Sequence, residues 1–204
     1  YVLGDLFEVW VGDDHHTTFN QNVIQLFKNY SQQYGQLYFA HGNRDFLLGK
    51  QFASQTGASL ISEPYHLILG THKTCLMHGD TLCTDDVEYQ RFRTMVRNPV
   101  WQQELLKQPV EKRLAFASSI REKSKDEMSD KDSEIMDVNQ MSVEKCFVDN
   151  ECEWLIHGHT HREAHHQMMI NEKKHHRIVL SDWNEQGHYL KFKDNQLLSL
   201  YFKL

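Results

Sequence analysis

Four short apolar runs in this chain each end in a polar residue beside a glycine. They close on Gly4-Asp5, on His41-Gly42-Asn43, on His78-Gly79-Asp80 and on His157-Gly158-His159-Thr160-His161. In an extended segment residues two apart point the same way. His159 and His161 are therefore expected to face one site, with Thr160 turned away and His157 left as a further candidate. Singly, each motif is also what a turn uses, because Gly-Asp and Gly-Asn are common turn pairs. Four together, each behind a strand-like run, point to a site. Ligands of open α/β sheets collect at the carboxyl ends of strands, so Asp5, Asn43, His78, His159 and His161 are expected to converge. The donors are carboxylate, amide and imidazole, with no thiolate. That set suits manganese, iron, zinc or nickel better than copper(I) or an iron–sulfur cluster. A carboxylate can bridge two ions. Two ions about 3.5–4 Å apart can clamp a phosphoryl group and generate hydroxide at neutral pH.

The elements that must position these residues follow from the apolar pattern. Of 204 residues, 40% are apolar and 25% charged, which fits a folded domain and excludes collagen, coiled coil and wholesale disorder. The net charge of −6 argues against a general phosphate-backbone binder, so no nucleic-acid partner is expected. No unbroken apolar run exceeds four residues, the length of Leu37 to Ala40, which is too short to span a bilayer. Four cysteines without a C-x-x-C pair, Cys75, Cys83, Cys146 and Cys152, read as reduced structural thiols. Strands are expected at the four runs, and Phe19 to Tyr34 reads as a helix with Val23, Leu26, Phe27 and Tyr30 on its inner face. Strand, helix, strand makes an α/β architecture. From about Asp86 to Lys145 strand signals vanish. Tyr89, Phe92, Met95 and Val96 share a helical face, and the charge-dense stretch Arg121 to Glu134 reads as a solvated helix or loop. Residues 86–145 are thus expected to be a helical insertion into a core of 1–85 and 146–204. Ile178 to Leu180, Tyr189 to Phe192 and Leu197 to Phe202 are expected to form a closing meander. His165, His166, His175 and His176 read as surface residues.

These motifs carry a resemblance. Gly4-Asp5, Gly42-Asn43-Arg44-Asp45, His78-Gly79-Asp80 and Gly158-His159-Thr160-His161 are similar to the pattern of the calcineurin-like metallophosphoesterases. Longer strings resemble one branch of it, the UDP-2,3-diacylglucosamine diphosphatases of lipid A biosynthesis. They are Asp5 to Glu8, Gly12 to Asp14, His41 to Gly49, His78 to Asp86, Ile135 to Gln140 and Trp154 to Arg162. The resemblance implies a four-layer α/β/β/α sandwich with an inserted helical lid. It implies two manganese ions and cleavage of UDP-2,3-diacylglucosamine to UMP and 2,3-diacylglucosamine 1-phosphate (lipid X). It implies peripheral attachment to the cytoplasmic face of the inner membrane of a Gram-negative bacterium. Carried over by motif, Asp5 bridges the metals, Asn43, His78 and His159 complete one site, and His161 belongs to the other. Asn43, Arg44, Asp86, Ser124, Lys131 and His159 touch substrate, and Arg121 matches a lid arginine expected near it. Asn43, Arg44 and His159 are the catalytic candidates. Tyr89, Phe92, Met95 and Trp10 are candidates for an acyl groove or for lid core.

Two departures matter. The superfamily opens with Asp-x-His on its first strand, and this chain has none before Asp5. An upstream strand preceding Tyr1 is therefore expected. Many members also carry His where this chain has Arg44, and the diphosphatase branch shares the arginine. A histidine there can protonate an alkoxide leaving group. A pyrophosphate instead expels a phosphate monoester, which leaves unprotonated, and a guanidinium offers it charge and bidentate hydrogen bonds. The competing readings are a soluble nucleotide diphosphatase or phosphodiesterase of the same fold, and a non-catalytic scaffold. The intact ligand set speaks against the scaffold.

Overall fold

A computed structural model describes residues 1–130 and 135–204, with side chains at all of these except 123 and 125–130. The chain divides into two compact units, one of residues 1–62 with 85–136 and one of residues 63–84 with 137–204.

The first unit is built on three parallel strands in the order β1 (Val2–Leu3), β2 (Leu37–Ala40) and β3 (Ala58–Ile61), with Leu3 opposite Ala40 and Ala40 opposite Ile61. Helix α1 (Thr18–Gln33) starts at Thr17, whose side chain accepts the Asn20 N–H. Its inner face differs from the expectation. Ile24 is buried and Val23 and Phe27 pack against the core, while Leu26 and Tyr30 face solvent. The stripe that reaches the sheet is narrower than the apolar pattern suggested. Helix α2 (Lys50–Thr56) and strand β3 were not foreseen. At seven residues α2 is too short to hold itself in water. Its amino end is supplied from outside, because the Asp13 carboxylate accepts the N–H groups of Gly49 (2.9 Å), Gln51 (3.0 Å) and Phe52 (3.0 Å). Gly57, at φ +73°, ends it in the left-handed region. Trp10 lies buried against Phe7 and Phe52, with ring centroids 4.6 and 5.4 Å away. It is a core residue, which corrects its place among the groove candidates.

Three further helices belong to this unit: α3 (Val87–Val96), α4 (Pro99–Leu106) and α5 (Val110–Asp130). Asp86 and Asn98 cap the first two through their side chains, and Pro99 occupies the first turn, where its missing N–H costs nothing. Arg113 on α5 is fully buried. It donates to Gln108 O (3.0 Å), Val11 O (2.5 Å) and Asp14 Oδ1 (2.7 Å), with a second contact to Asp14 Oδ2. That hydrogen bond, with the guanidinium charge, holds the Asp14 carboxyl below the usual carboxylate range.

The second unit carries a five-stranded sheet of β4 (Tyr65–Leu69), β5 (His72–Met77), β6 (Trp154–His157), β7 (Ala164–Ile170) and β8 (Lys173–Val179), in the order β4-β5-β6-β8-β7. The pairs β5–β6 and β6–β8 are parallel and the outer two antiparallel. Cys75, Met77 and Leu155 form one buried cluster with Val143 and Phe147 of α6 (Gln140–Asp149). The boundary expected at residue 145 between insertion and core falls inside α6. Strands β9 (Gln186–Lys193) and β10 (Gln196–Lys203) form a separate antiparallel pair. The expected closing meander is therefore two structures. Ile178 and Val179 lie in the apolar end of β8, buried beside β6, whereas β9 and β10 alternate as a hairpin with one exposed face. His175 is also a correction, because it is buried, hydrogen-bonds Cys152 O at 2.9 Å through Nδ1 and packs on Phe147. All four cysteines are free thiols. Among the described residues no helix is long and apolar enough to cross a membrane.

Candidate functional site

In the first unit, β1 and β2 run parallel and end side by side, so the loops after them touch. The touch is close. A Cβ on Gly4 (φ +82°) would lie 2.3 Å from Gly42 N, and one on Gly42 would lie 2.1 Å from Asp5 Oδ1. Only glycine permits this approach. Asp5 itself sits at φ +55°, a costly conformation for a residue with a side chain. Its carboxylate accepts the Arg44 N–H at 2.9 Å and lies 3.7 Å from Arg44 Nε. Fully buried Asp45 joins the two loops by accepting Gly42 N–H (2.7 Å) and Leu6 N–H (3.0 Å). Arg97, at the end of α3, donates to His41 O (3.2 Å) and Gly42 O (2.9 Å) from the other side. Asn43 lies half-buried in this braced turn. The Arg44 guanidinium reaches Glu8 Oε1 at 2.8 Å, and Arg121 on α5 reaches Glu8 Oε2 at 2.8 Å. Asp86 caps α3 through the Tyr89 N–H at 3.1 Å. Ser124 is exposed on α5, and Lys131 lies outside the described residues.

In the second unit, parallel β5 and β6 likewise end together. His78 follows β5 and is buried, with its N–H donated to the Glu63 carboxylate. Its Nε2 stands 3.1 Å from His159 Nδ1. Two ligand nitrogens about 2.0–2.1 Å from one ion and at right angles to each other lie about 3 Å apart, so this pair fits a single divalent ion. His159 and His161 do not alternate along an extended segment. Both occupy the left-handed region, at φ +65° and +56°. The extended backbone assumed from strand periodicity is thereby corrected, because the strand has already ended at His157. His161 Nδ1 lies 3.7 Å from Asp182 Oδ2, an acidic neighbour that no local motif announces.

His157 is no ligand candidate once its surroundings are seen. It is wholly buried, its Nδ1 lies 2.9 Å from Gly158 O and its Nε2 3.3 Å from Arg177 Nη1. Arg177 can only donate, so Nε2 accepts and Nδ1 carries the proton. Burial pushes the His157 pKa down to about 3, with the Arg177 charge adding to the effect. Gly79 (φ +112°) faces this ring so closely that a Cβ would come within 2.7 Å of Nδ1. The expected residues thus divide between the units. Asp5, Asn43, Arg44, Asp86, Arg121 and Ser124 fall in the first, and His78, His159 and His161 in the second. Arg97 and Asp182, which support these loops, were missed, and Asp13 and Asp45 stood in the quoted motifs with no role assigned. The contacts of Arg97 to His41 and Gly42, and of Asp182 to His161, cross 21 residues or more, so spacing carries no trace of them.

Known proteins are similar to this chain over most of its length. A UDP-2,3-diacylglucosamine hydrolase of Chromohalobacter salexigens is 46% identical over 183 residues, covering 90% of this chain and 74% of that protein. Proteins of the same name from Serratia proteamaculans and Yersinia pseudotuberculosis are 43% and 44% identical over 191 residues, covering 94% of this chain and 80% of theirs. The family described as calcineurin-like phosphoesterase matches residues 1–163, a stretch that contains every strand-end motif of both units. The chain belongs to the calcineurin-like phosphoesterase family.

Proposed function

We propose that the protein hydrolyses the pyrophosphate bond of UDP-2,3-diacylglucosamine, giving UMP and 2,3-diacylglucosamine 1-phosphate. The reading is carried by the name shared by relatives 43–46% identical over at least 90% of the chain. The ligand set is Asp5, Asn43, His78, His159 and His161, holding two divalent ions, with manganese the first choice. Bound there, the ions supply a deprotonated water and neutralise phosphate charge. The chain's own residues do the rest. Asn43 and His159 donate to the phosphoryl oxygens as charge develops on them. Arg44 presents a fixed fork to the phosphate oxygens and needs no proton to release a phosphate monoester. Attack falls on the phosphorus nearest the uridine. Arg121, Ser124, Lys131 and Asp86 contact the substrate, with the Arg121 and Lys131 charges directed at its diphosphate. Residues 86–145 act as the lid, and Tyr89, Phe92 and Met95 meet the acyl chains. With a diacylated substrate, the protein works at the cytoplasmic face of the inner membrane as a peripheral protein.

Phosphorus NMR of the manganese-loaded protein with UDP-2,3-diacylglucosamine tests this reading. Appearance of UMP and lipid X, abolished in His159→Ala, is the expected result. Intact substrate alongside cleavage of a soluble phosphodiester would replace it with the phosphodiesterase reading. Intact substrate with no metal bound would replace it with the scaffold.

A further inference from the structure

One carboxylate in the first unit sits where an anion from outside would be expected. Glu8 ends the string Asp5-Leu6-Phe7-Glu8, and its two oxygens point to different arginines. Oε1 is 2.8 Å from Arg44 Nη1 and Oε2 is 2.8 Å from Arg121 Nη2. All three side chains are solvent-accessible, with 64% of Glu8, 38% of Arg44 and 59% of Arg121 exposed. They belong to three separate pieces of chain: the loop after β1, the loop after β2, and α5. Among the described residues, the other contacts of the loop do not use this carboxylate. Asp45 and Arg97 already brace the turn, and Asp5 already receives the Arg44 backbone N–H.

We infer that Glu8 is an internal stand-in for a phosphate, holding the Arg44 and Arg121 guanidiniums together and leaving them when a phosphate or diphosphate anion arrives. The inference rests on the proposed function for the identity of that anion, and on geometry for the exchange. A guanidinium fork engages carboxylate and phosphate through the same N–H groups. An oxygen of Glu8 at 2.8 Å and a phosphate oxygen therefore cannot hold the same N–H of Arg44 at full strength. The exchange has two consequences. With Glu8 in place, the two cations do not repel each other, so α5 rests close to the loop after β2 within this unit. Every anion that binds must first compete with a tethered carboxylate, which weakens capture of inorganic phosphate and other small anions. A substrate with two linked phosphates overcomes that competition by engaging both arginines at once. Glu8 is thus a specificity-determining residue and touches none of the reacting atoms.

The test compares wild type, Glu8→Gln and Glu8→Asp, each manganese-loaded. Inorganic phosphate affinity is measured by titration calorimetry, and kcat and KM are measured on UDP-2,3-diacylglucosamine. An exposed ion pair shifts an equilibrium by up to about fivefold. Relieving two of them is expected to tighten phosphate binding about three- to tenfold in Glu8→Gln. The variant's KM is expected to fall by less than its phosphate dissociation constant, so that discrimination against phosphate is lost. Glu8→Asp, too short to span both arginines, is expected to fall between. Unchanged or weaker phosphate binding in Glu8→Gln would overturn the inference, and so would a raised KM, which would mark Glu8 as a fixed brace for the arginines. The two failures separate cleanly. If wild type leaves UDP-2,3-diacylglucosamine intact yet Glu8→Gln tightens phosphate, the substrate assignment falls and the exchange stands.

Discussion

The Arg113–Asp14 pair, buried on the arginine side only, yields a prediction that runs against the usual ranking of buried and exposed partners. Arg113 is 2% exposed and Asp14 59% exposed. Intuition assigns the larger cost to removing the buried residue. Arg113→Met, however, removes a buried charge along with its desolvation burden. It leaves Asp14 free to take up water and strands two neutral acceptors, Val11 O and Gln108 O. At about 1 kcal/mol for each lost hydrogen bond, that costs about 2 kcal/mol. Asp14→Ala instead leaves a buried guanidinium without counter-charge. Breaking a buried pair in this sense costs about 3–5 kcal/mol, and the water already reaching Asp14 puts this case at the low end, about 3 kcal/mol. A unit of this size loses roughly 4 °C of melting temperature per kcal/mol. The expected drops are then about 8 °C for Arg113→Met and about 12 °C for Asp14→Ala. The double variant should match Arg113→Met alone, because no stranded charge remains. Scanning calorimetry of the four proteins at pH 7 gives the cycle. Strict additivity, or a larger loss in Arg113→Met than in Asp14→Ala, would refute the reasoning.

Three further outcomes are expected. The folded-state pKa of His157 lies near 3, below the ordinary value of 6.5. The unfolded chain takes up the proton first, so stability is complete above pH 6.5 and declines as pH falls toward 3, at up to about 1.4 kcal/mol per pH unit. Urea midpoints across pH 7 to 4 measure this, and the ring resonances of His157 should not titrate above pH 4. Gly42→Ala places a methyl against Asp5 Oδ1 and is expected to lower kcat/KM by about 100-fold, an effect that wild-type turnover in the variant would exclude. Arg44→Lys keeps the charge but loses the fork, and near-full turnover in steady-state assay would show that bidentate contact is not what the arginine supplies.

The strand ends were legible because each is written locally. β2 and β6 fall on the runs Leu37–Ala40 and Trp154–His157 that the apolar pattern marked, and the site residues follow them by two to four positions. The rest was hidden for physical reasons. β3 and α2 have weak local signals, and α2 takes its cap from Asp13, 36 to 39 residues away. Arg113 reads as a surface charge in any helical pattern, because its partners lie in another part of the chain. Periodicity kept His159 and His161 on one face by assuming the strand continued, and only backbone torsions reveal that it does not. Leu26 and Tyr30 fit the apolar spacing of α1, but it is Ile24, with Val23 and Phe27 beside it, that meets the core.

The remote cap on α2 also bears on the order of events during folding. A seven-residue helix nucleates poorly on its own, and three of its amino-terminal donors wait for a carboxylate that arrives only when the loop after β1 has closed. α2 therefore condenses together with that loop rather than ahead of it, and the closure of a loop nearly forty residues long becomes part of the barrier. The same carboxylate that steadies the finished helix ties its formation to the closing of that loop.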